Sequence, residues 1–326
     1  MEYYLGVDIG SVSSNFVLMD GAGEVKETLY LRTMGNPVQA IKDGFARLCE
    51  VHPGINIRGV GTTGSGRHLA AVMLGADVVK NEITAHAVAA HRFCPGVRTV
   101  MEIGGQDSKI IIIRDGVVVD FAMNTVCAAG TGSFLDQQAA RLNIPIEEFG
   151  GKALAAGQPV RIAGRCGVFA ESDMIHKQQM GYPVEDIVAG LCEALARNFL
   201  NNVGKGKDIQ EPVVFQGGVA ANVGLKKAFE NLLQKPIIVP VNHSVMGAVG
   251  AAILAAEQCG NHGCSSFKGR EYVLGGDFVT RSFECKGCPN LCEVVTIQRE
   301  KEVLAYWGDR CRRWETSLAE KQRALA

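Results

Sequence analysis

The chain has 326 residues, of which 47% are hydrophobic and 21% charged, and its formal net charge is −1. This composition can bury a large core and excludes a disordered chain. The balanced charge excludes a strongly basic protein, and the longest weakly polar stretch, residues 246–259, is shorter than the ~20 residues of a membrane-spanning helix. We therefore expect no nucleic-acid partner and no membrane insertion.

The 11 cysteines do not suit a disulfide framework, because such frameworks belong to small secreted domains. The first ten residues predict a strand rather than a signal peptide. The cysteines therefore indicate metal or redox sites in a cytoplasmic protein.

The N-terminal part of the sequence predicts a meander of short strands, followed by alternating helices and strands. Strands are predicted at residues 3–9, 16–19, 25–31 and 57–61, helices at 37–49 and 81–92, and further strands at 99–103, 108–114 and 117–123. A hairpin beside an acidic strand residue thus occurs twice, at Asp8 and at Glu102. This pattern predicts an internal repeat of topology rather than of residues.

The remaining sequence is mostly helical until the composition changes after Gly260. Helices are predicted at residues 132–142, 168–179, 183–203, 222–233 and 246–257, with strands at 213–216 and 236–240. We expect an α/β fold with one lobe at residues 1–90, to which a helix at 246–258 returns, and a second lobe at 91–245. We expect residues 259–326 to form a third region, a cysteine-rich extension.

The first of three glycine-containing loops follows the first strand. Its small residues offer backbone amides and hydroxyls to phosphate oxygens, and they are Gly10, Ser11, Val12, Ser13 and Ser14. Asp8, at the strand end, can hold Mg²⁺ through water. The alternative interpretation is a tight hairpin with a structural aspartate.

The second and third loops complete a candidate nucleotide site. In the second, Gly104 and Gly105 form another backbone cradle, and Glu102, Gln106 or Asp107 can orient water or Mg²⁺ at a γ-phosphate. The third loop lies between a strand and a helix, where backbone can lie flat against adenine or ribose. Its candidate residues are Gly217, Gly218, Val219 and Asn222. Each loop is common alone, and the order and spacing of all three carry the prediction.

Two cysteines, Cys127 and Cys166, each begin a predicted helix. A [4Fe–4S] cluster usually needs four thiolates, so two identical chains related by a two-fold axis would supply a full set. Helix N-termini favour the negative charge of such a cluster. The alternative is two buried structural cysteines, since free cysteine packs as a small hydrophobe.

Several blocks of residues 1–257 resemble the activators of 2-hydroxyacyl-CoA dehydratases and the ATPase subunits of benzoyl-CoA reductase, within the actin-like ATPase and sugar-kinase superfamily. The resemblance is carried by residues 8–11, 64–67, 82–87, 103–107, 124–132, 166–172 and 217–220. It implies a two-lobed actin-like fold that binds ATP/ADP with Mg²⁺, and Cys127 and Cys166 match the family's cluster ligands. The chain departs from the family pattern at Asn15, where a lysine is usual, and at Glu102, where an aspartate is usual.

The resemblance further implies an ATP-dependent iron–sulfur activase, a homodimer that shares one [4Fe–4S] cluster. Reduced ferredoxin or flavodoxin would be the electron donor. The acceptor would be a 2-hydroxyacyl-CoA dehydratase-type enzyme or the related double-cubane cluster protein. The alternatives are a small-molecule kinase of the same superfamily without a cluster, and a metal-stabilised scaffold with a vestigial ATP site.

The extension carries its own cysteine pattern, in which Cys285, Cys288 and Cys292 are followed by Cys311. Four thiolates at this spacing can hold Zn²⁺ or a second Fe–S cluster. The alternative is a loose tail with incidental cysteines. His86 and His91 lie five residues apart on one predicted helix, a poor spacing for one metal, and we expect neither to be a ligand.

Overall fold

A computed structural model describes residues 2–124, 126–262 and 265–314. Thr125 of the first cysteine motif and residues 315–326 of the predicted extension lie outside the described residues. The chain divides into two compact units, Met1–Asn81 with Ala251–Ala326 as unit 1 and Glu82–Gly250 as unit 2. Within the described ranges, every helix is too short or too polar to cross a bilayer.

Unit 1 is built on a five-stranded sheet with the order β3-β2-β1-β4-β5. The first three strands pair antiparallel, whereas β4 pairs parallel with β1 and β5 pairs parallel with β4. The elements are β1 (Glu2–Ile9), β2 (Ser13–Asp20), β3 (Val25–Arg32), α1 (Pro37–Val51), β4 (Asn56–Thr63), α2 (Arg67–Leu74) and β5 (Val78–Val79).

The apolar face of α1 explains its position on this sheet. Ile41, Phe45 and Leu48 recur at helical spacing and share one buried cluster with Leu5 and Val7 of β1. The Asn36 side chain caps the helix by accepting from the Gln39 amide at 3.1 Å. This packing holds the first sheet and the turn after β1 in a fixed arrangement.

Unit 2 repeats the same plan with the order β10-β9-β6-β7-β8. Its elements are α3 (Glu82–Phe93), β6 (Thr99–Ile103), β7 (Ser108–Arg114), β8 (Val117–Asn124), α4 (Gly132–Leu142), α5 (Ile146–Leu154), α6 (Gly167–Gln179), α7 (Val184–Asn202), β9 (Val213–Gln216), α8 (Val223–Leu233), β10 (Ile237–Ile238) and α9 (Met246–His262). The last helix, α9, crosses into unit 1 at residues 250–251.

The two sheets confirm the predicted repeat of topology. In both, three strands form an antiparallel meander, and two later strands add in parallel to the first. The register makes the repeat specific, because Asp8 pairs with Asn15 in the first sheet and Glu102 pairs with Lys109 in the second. The two acidic residues therefore occupy equivalent positions.

The C-terminal segment adds a sheet that the sequence alone did not predict. After α10 (Arg270–Gly275), strands β11 (Phe278–Glu284), β12 (Glu293–Arg299) and β13 (Glu302–Trp307) form an antiparallel meander. Val273, Phe278 and Ile297 are buried in the same cluster as the core of β1 and α1. The described part of this segment is thus packed into unit 1. The helices α2 and α5 were likewise not predicted, and the strand predicted at 236–240 shortens to β10.

Candidate functional site

The first candidate loop is the tight turn between β1 and β2. The Gly10 amide donates to the Ser13 carbonyl at 2.8 Å, and the Thr33 amide donates to the Val12 carbonyl at 2.9 Å. The Thr33 hydroxyl donates to the Gly10 carbonyl at 2.9 Å and lies 2.9 Å from the Ser14 hydroxyl. Thr33, which the sequence reasoning missed, therefore holds this turn from the end of β3.

A glycine is needed where β4 passes the end of β1. Gly64 has a φ of +89°, and a Cβ there would lie 2.3 Å from the Ile9 carbonyl oxygen and 2.5 Å from Oδ1 of Asp8. Only glycine combines that backbone conformation with such a close approach. The Asp8 carboxylate is thereby confined beside the first loop.

A cavity of about 360 Å³ opens beside the first loop within unit 1. Small-molecule sites typically have volumes of 300–1,000 Å³. The described C-terminal sheet forms one wall of the cavity, through Thr280, Val295 and Trp307. The remaining lining residues are Ile9, Gly10, Ser11, Thr33, Gly35, Pro37, Ser65, Gly66 and Leu69. The extension therefore contributes side chains next to a predicted phosphate loop.

The second loop is flanked by a buried lysine with three acidic partners. Nζ of Lys109 lies 2.8 Å from Glu82, 2.9 Å from Glu102 and 2.9 Å from Asp107. The Lys109 side chain is 3% exposed and that of Asp107 is 32% exposed. Sequence reasoning missed Lys109, although it is a charged residue directly before the four isoleucines of strand β7. We name Lys109, Glu82, Glu102 and Asp107 the Lys109 cluster.

Burial and charge compete in the Lys109 cluster. Burial raises the pKa of Glu102 to about 7, although the Lys109 charge opposes the rise. Burial alone would lower the pKa of Lys109, but its three carboxylate partners outweigh it and raise that pKa. Nearby, burial and the Lys109 charge lower the pKa of His86 to about 3. His86 is thus neutral, and its Nδ1 lies 2.8 Å from Nε2 of Gln216.

The third loop lies directly against the second. Gly217 has a φ of +93°, and a Cβ there would approach the Ile103 carbonyl oxygen at 2.3 Å and Oε1 of Glu102 at 2.7 Å. The Asn222 side chain caps α8 by accepting from the Leu225 amide at 2.9 Å. Within unit 2, therefore, the structure brings Glu102, Asp107 and the third loop together, while Asn222 already has a structural role.

The start of α4 is hydrogen-bonded to the second loop. The Gly132 amide donates to the Gly104 carbonyl and the Ser133 amide to the Gly105 carbonyl, both at 2.9 Å. The Ser133 hydroxyl also donates to the Gly105 carbonyl at 2.6 Å. The segment after Cys127 is therefore physically attached to a predicted phosphate loop.

Cys166 lies at the N-cap of α6, as predicted, whereas Cys127 caps a three-residue 3₁₀ turn and α4 begins only at Gly132. Cys127 precedes a 3₁₀ turn at Ala128–Gly130, Cys166 precedes α6, and neither side chain makes a capping hydrogen bond. Both are free, partly exposed thiols. Beside Cys166, Val168 and Phe169 are 71% and 66% exposed. The thiols thus lie in an accessible and partly apolar surface.

The four candidate metal-binding cysteines of the extension lie around the β11–β12 connection and after β13. The Cys285 amide donates to the Cys292 carbonyl at 2.8 Å. The Trp314 indole, 3.3 Å from the Cys285 sulfur, helps to hold the pKa of that thiol below its usual value. In the described ranges, no group of three or more His, Cys, Asp or Glu side chains is arranged to hold a metal ion. The predicted four-thiolate site, which includes Cys288 and Cys311, stays a prediction.

Comparison with known proteins agrees with the predicted resemblance. The chain is 34% identical over 265 residues to the 2-hydroxyisocaproyl-CoA dehydratase activator of Clostridioides difficile. The matched region covers 78% of this chain and 96% of that relative. Component A of the (R)-2-hydroxyglutaryl-CoA dehydratase of Acidaminococcus fermentans matches with a TM-score of 0.73 and 30% identity, over 80% of this chain and 100% of that chain. The activator of the 2-hydroxyisocaproyl-CoA dehydratase from Clostridium difficile, solved with bound ADPNP, matches with a TM-score of 0.71 and 31% identity, over 80% of this chain and 97% of that chain.

These matches show the predicted actin-like ATPase fold. The BadF/BadG/BcrA/BcrD ATPase family model covers residues 5–255, which include all three loops and both N-cap cysteines. It ends before the C-terminal sheet. On this evidence the chain is a member of the BadF/BadG/BcrA/BcrD ATPase family.

Proposed function

We propose that this chain is an ATP-dependent activator that delivers low-potential electrons to a partner iron–sulfur enzyme. The partner is of the 2-hydroxyacyl-CoA dehydratase type, or it is the related double-cubane cluster protein. Relatives whose names state activation of such dehydratases support this proposal, as does the family's ATPase character. Reduced ferredoxin or flavodoxin would be the donor.

The observation that carries the proposal is the connection between the second loop and the first cysteine segment. Gly132 and Ser133 bond the carbonyls of Gly104 and Gly105, and Cys127 lies five residues before Gly132. A shift of the second loop upon ATP binding or hydrolysis would therefore displace the segment that carries Cys127. Such a link is what an ATPase needs in order to control a redox site.

The nucleotide roles follow from the chemistry of the loops. The amides of Gly10 and Gly104 already donate to the Ser13 and Asp107 carbonyls, so the phosphates would be held by the remaining amides and hydroxyls of residues 11–14 and by the Gly105 amide. Residues 217–219 would lie against adenine or ribose. Carboxylate oxygens suit Mg²⁺, and Asp8 and the partly exposed Asp107 fit that role. Glu102 is held by Lys109, and Gln106 would orient water at the γ-phosphate.

The donor set at Cys127 and Cys166 fits half of a [4Fe–4S] site, because each chain offers two accessible thiols at helix N-caps. When bound, such a cluster supplies one-electron redox chemistry. A second copy of the chain would complete the four ligands across a two-fold axis. The exposed apolar side chains of Val168 and Phe169 beside Cys166 support burial of this surface against another chain.

We also propose that Zn²⁺ or a second Fe–S cluster binds Cys285, Cys288, Cys292 and Cys311, all of which lie in the described part of the extension. Their spacing supports this proposal. Metal analysis of the full-length chain with Cys285 and Cys288 both replaced by serine tests it. Loss of one metal equivalent is expected, and an unchanged metal content would contradict it.

The proposed function is tested with Cys127→Ser and Cys166→Ser, prepared without oxygen. Both should lose iron and the brown colour, while ATP hydrolysis persists. Cys94→Ser is the matched control, because Cys94 is also free and partly exposed but follows α3. Iron retained at the wild-type level in either test variant would contradict the shared cluster. A colourless, monomeric wild-type chain would instead favour the small-molecule kinase.

A further inference from the structure

One buried side chain on α7 contacts the segments that carry both N-cap cysteines. Asn198 is 2% exposed. Its Nδ2 donates to the Gly164 carbonyl at 2.6 Å and lies 3.5 Å from the carbonyl oxygen of Arg165, the residue before Cys166. The same Nδ2 lies 4.0 Å from the Cys127 sulfur. A single carboxamide thus faces both cysteine segments.

The two cysteine segments pack closely around this carboxamide. A Cβ at Gly130 would lie 2.6 Å from Oδ1 of Asn198, and a Cβ at Gly164 would lie 2.9 Å from the Ala194 carbonyl oxygen of α7. Both segments therefore approach α7 through a glycine. Nδ2 of Asn202 donates to Oδ1 of Asn198 at 2.8 Å, which fixes the carboxamide with its N–H groups toward the cysteine segments.

Other side chains hold only one of the two segments each. The Arg197 guanidinium donates to the Ile162 carbonyl at 2.8 Å, on the segment that leads to Cys166. On the other side, the Asn124 carboxamide accepts from the Cys127 amide at 3.0 Å and donates to its carbonyl at 2.9 Å. Among these contacts, only those of Asn198 reach both segments.

We propose that Asn198 is a positioning residue that fixes the Cys127 and Cys166 segments relative to each other and supplies an N–H donor to the Cys127 sulfur. The second half rests on the proposed function, because it concerns Cys127 as a cluster ligand. The first half does not, since it concerns the backbone of the chain alone. Hydrogen bonds to ligand sulfurs stabilise the more negative, reduced form of an Fe–S cluster, so losing one makes the reduction potential more negative.

Hydrogen–deuterium exchange of the full-length, cluster-free chain tests the first half. Asn198→Leu should speed amide exchange about tenfold in both segments, 127–132 and 163–167, because the loss of a buried hydrogen bond costs about 1.4 kcal/mol, which is tenfold in the opening equilibrium. Asn201→Leu is the matched control, since it makes the same change on an exposed position of α7. Asn198→Asp keeps the shape but removes the donor, and it should act in the same direction if the leucine variant fails to fold.

Faster exchange in only one segment, or equal exchange in Asn198→Asp and wild type, would overturn the bracing role. With iron loaded, Asn198→Asp and Asn198→Leu should titrate at a more negative potential than wild type and the Asn201→Leu control. An unchanged potential would overturn the sulfur-donor role. A wild-type chain that binds no iron would overturn the proposed function and the sulfur-donor role, while the exchange result would still decide the bracing role.

Discussion

Replacing Lys109 with methionine should strongly destabilise unit 2, because three carboxylates would lose their shared ammonium. Lys109 is buried, and its Nζ lies 2.8–2.9 Å from Glu82, Glu102 and Asp107. Removing one side of a buried ion pair typically costs 3–5 kcal/mol, since the remaining charge is uncompensated. We expect the free energy of unfolding at pH 8 to fall by about 4 kcal/mol.

The loss should depend on pH, because Glu102 can bind a proton. Burial raises its pKa from 4.5 to about 7 even with Lys109 present, and removing that cation would raise it further. A carboxyl group with a raised folded pKa stabilises the protein below its unfolded pKa, and this contribution is lost as pH rises through the folded pKa. For each further unit by which the Glu102 pKa rises in the variant, the loss in free energy of unfolding should therefore be about 1 kcal/mol smaller at pH 5 than at pH 8.

Urea unfolding should be followed by far-ultraviolet circular dichroism, because both tryptophans, Trp307 and Trp314, lie in unit 1 and do not report on unit 2. Lys207→Met is the matched control. Lys207 also pairs at 2.8 Å, but its partner Asp120 is 49% exposed, and such pairs contribute about 1 kcal/mol at most. A Lys109→Met variant that loses no more stability than Lys207→Met at pH 8 would refute the reasoning.

The pKa of His86 is about 3 in the folded protein and 6.5 in the unfolded chain, so only the unfolded chain binds a proton there between pH 6.5 and pH 5. The free energy of unfolding should therefore fall by about 2 kcal/mol as the pH is lowered over that range. Urea titrations of His86→Gln should show a flatter pH dependence, and an unchanged slope would contradict this. Trp307 lines the cavity beside the first loop, so adding ADPNP should change the tryptophan fluorescence of the wild type and of Trp314→Phe. A fluorescence change that persists in Trp307→Phe would contradict nucleotide binding next to Trp307. Gly61→Ala should lower the free energy of unfolding, measured by thermal denaturation, by about 1–3 kcal/mol, because the new Cβ would lie 2.0 Å from the Ala251 carbonyl oxygen. Gly151→Ala should cause no such loss, because no atom lies within 4 Å of its Cβ position.

The hairpins and loops could be predicted from sequence because their signals are local. An acidic residue at a strand end, followed within a few residues by glycine, marks both Asp8 and Glu102. The pairing of Glu102 with Lys109 needs the register of β6 and β7, and Glu82 reaches Lys109 only because α3 packs near β7. Such partners depend on tertiary contacts that no local pattern encodes.

The C-terminal sheet was missed for a different reason. The strands β11 and β12 are separated by a connection rich in cysteines. The spacing of these cysteines is typical of a metal site, and it favoured a metal-binding segment over a pair of strands. Thr33 and Asn198 were missed because each contacts loops that are distant in sequence. In both cases a buried side chain donates to the backbone of a loop that is distant in sequence.

The anchoring of the C-terminal sheet limits how this protein can be shortened. The Phe267 and Phe45 rings meet edge to face at 5.7 Å, and the Lys42 ammonium donates to the Gly276 carbonyl, so α1 is covered by residues beyond the region that the family model spans. Trimming the chain to the length of its relatives would expose apolar side chains of α1 to water. Such a fragment would tend to aggregate, and a minimal version would first need polar replacements on that helix.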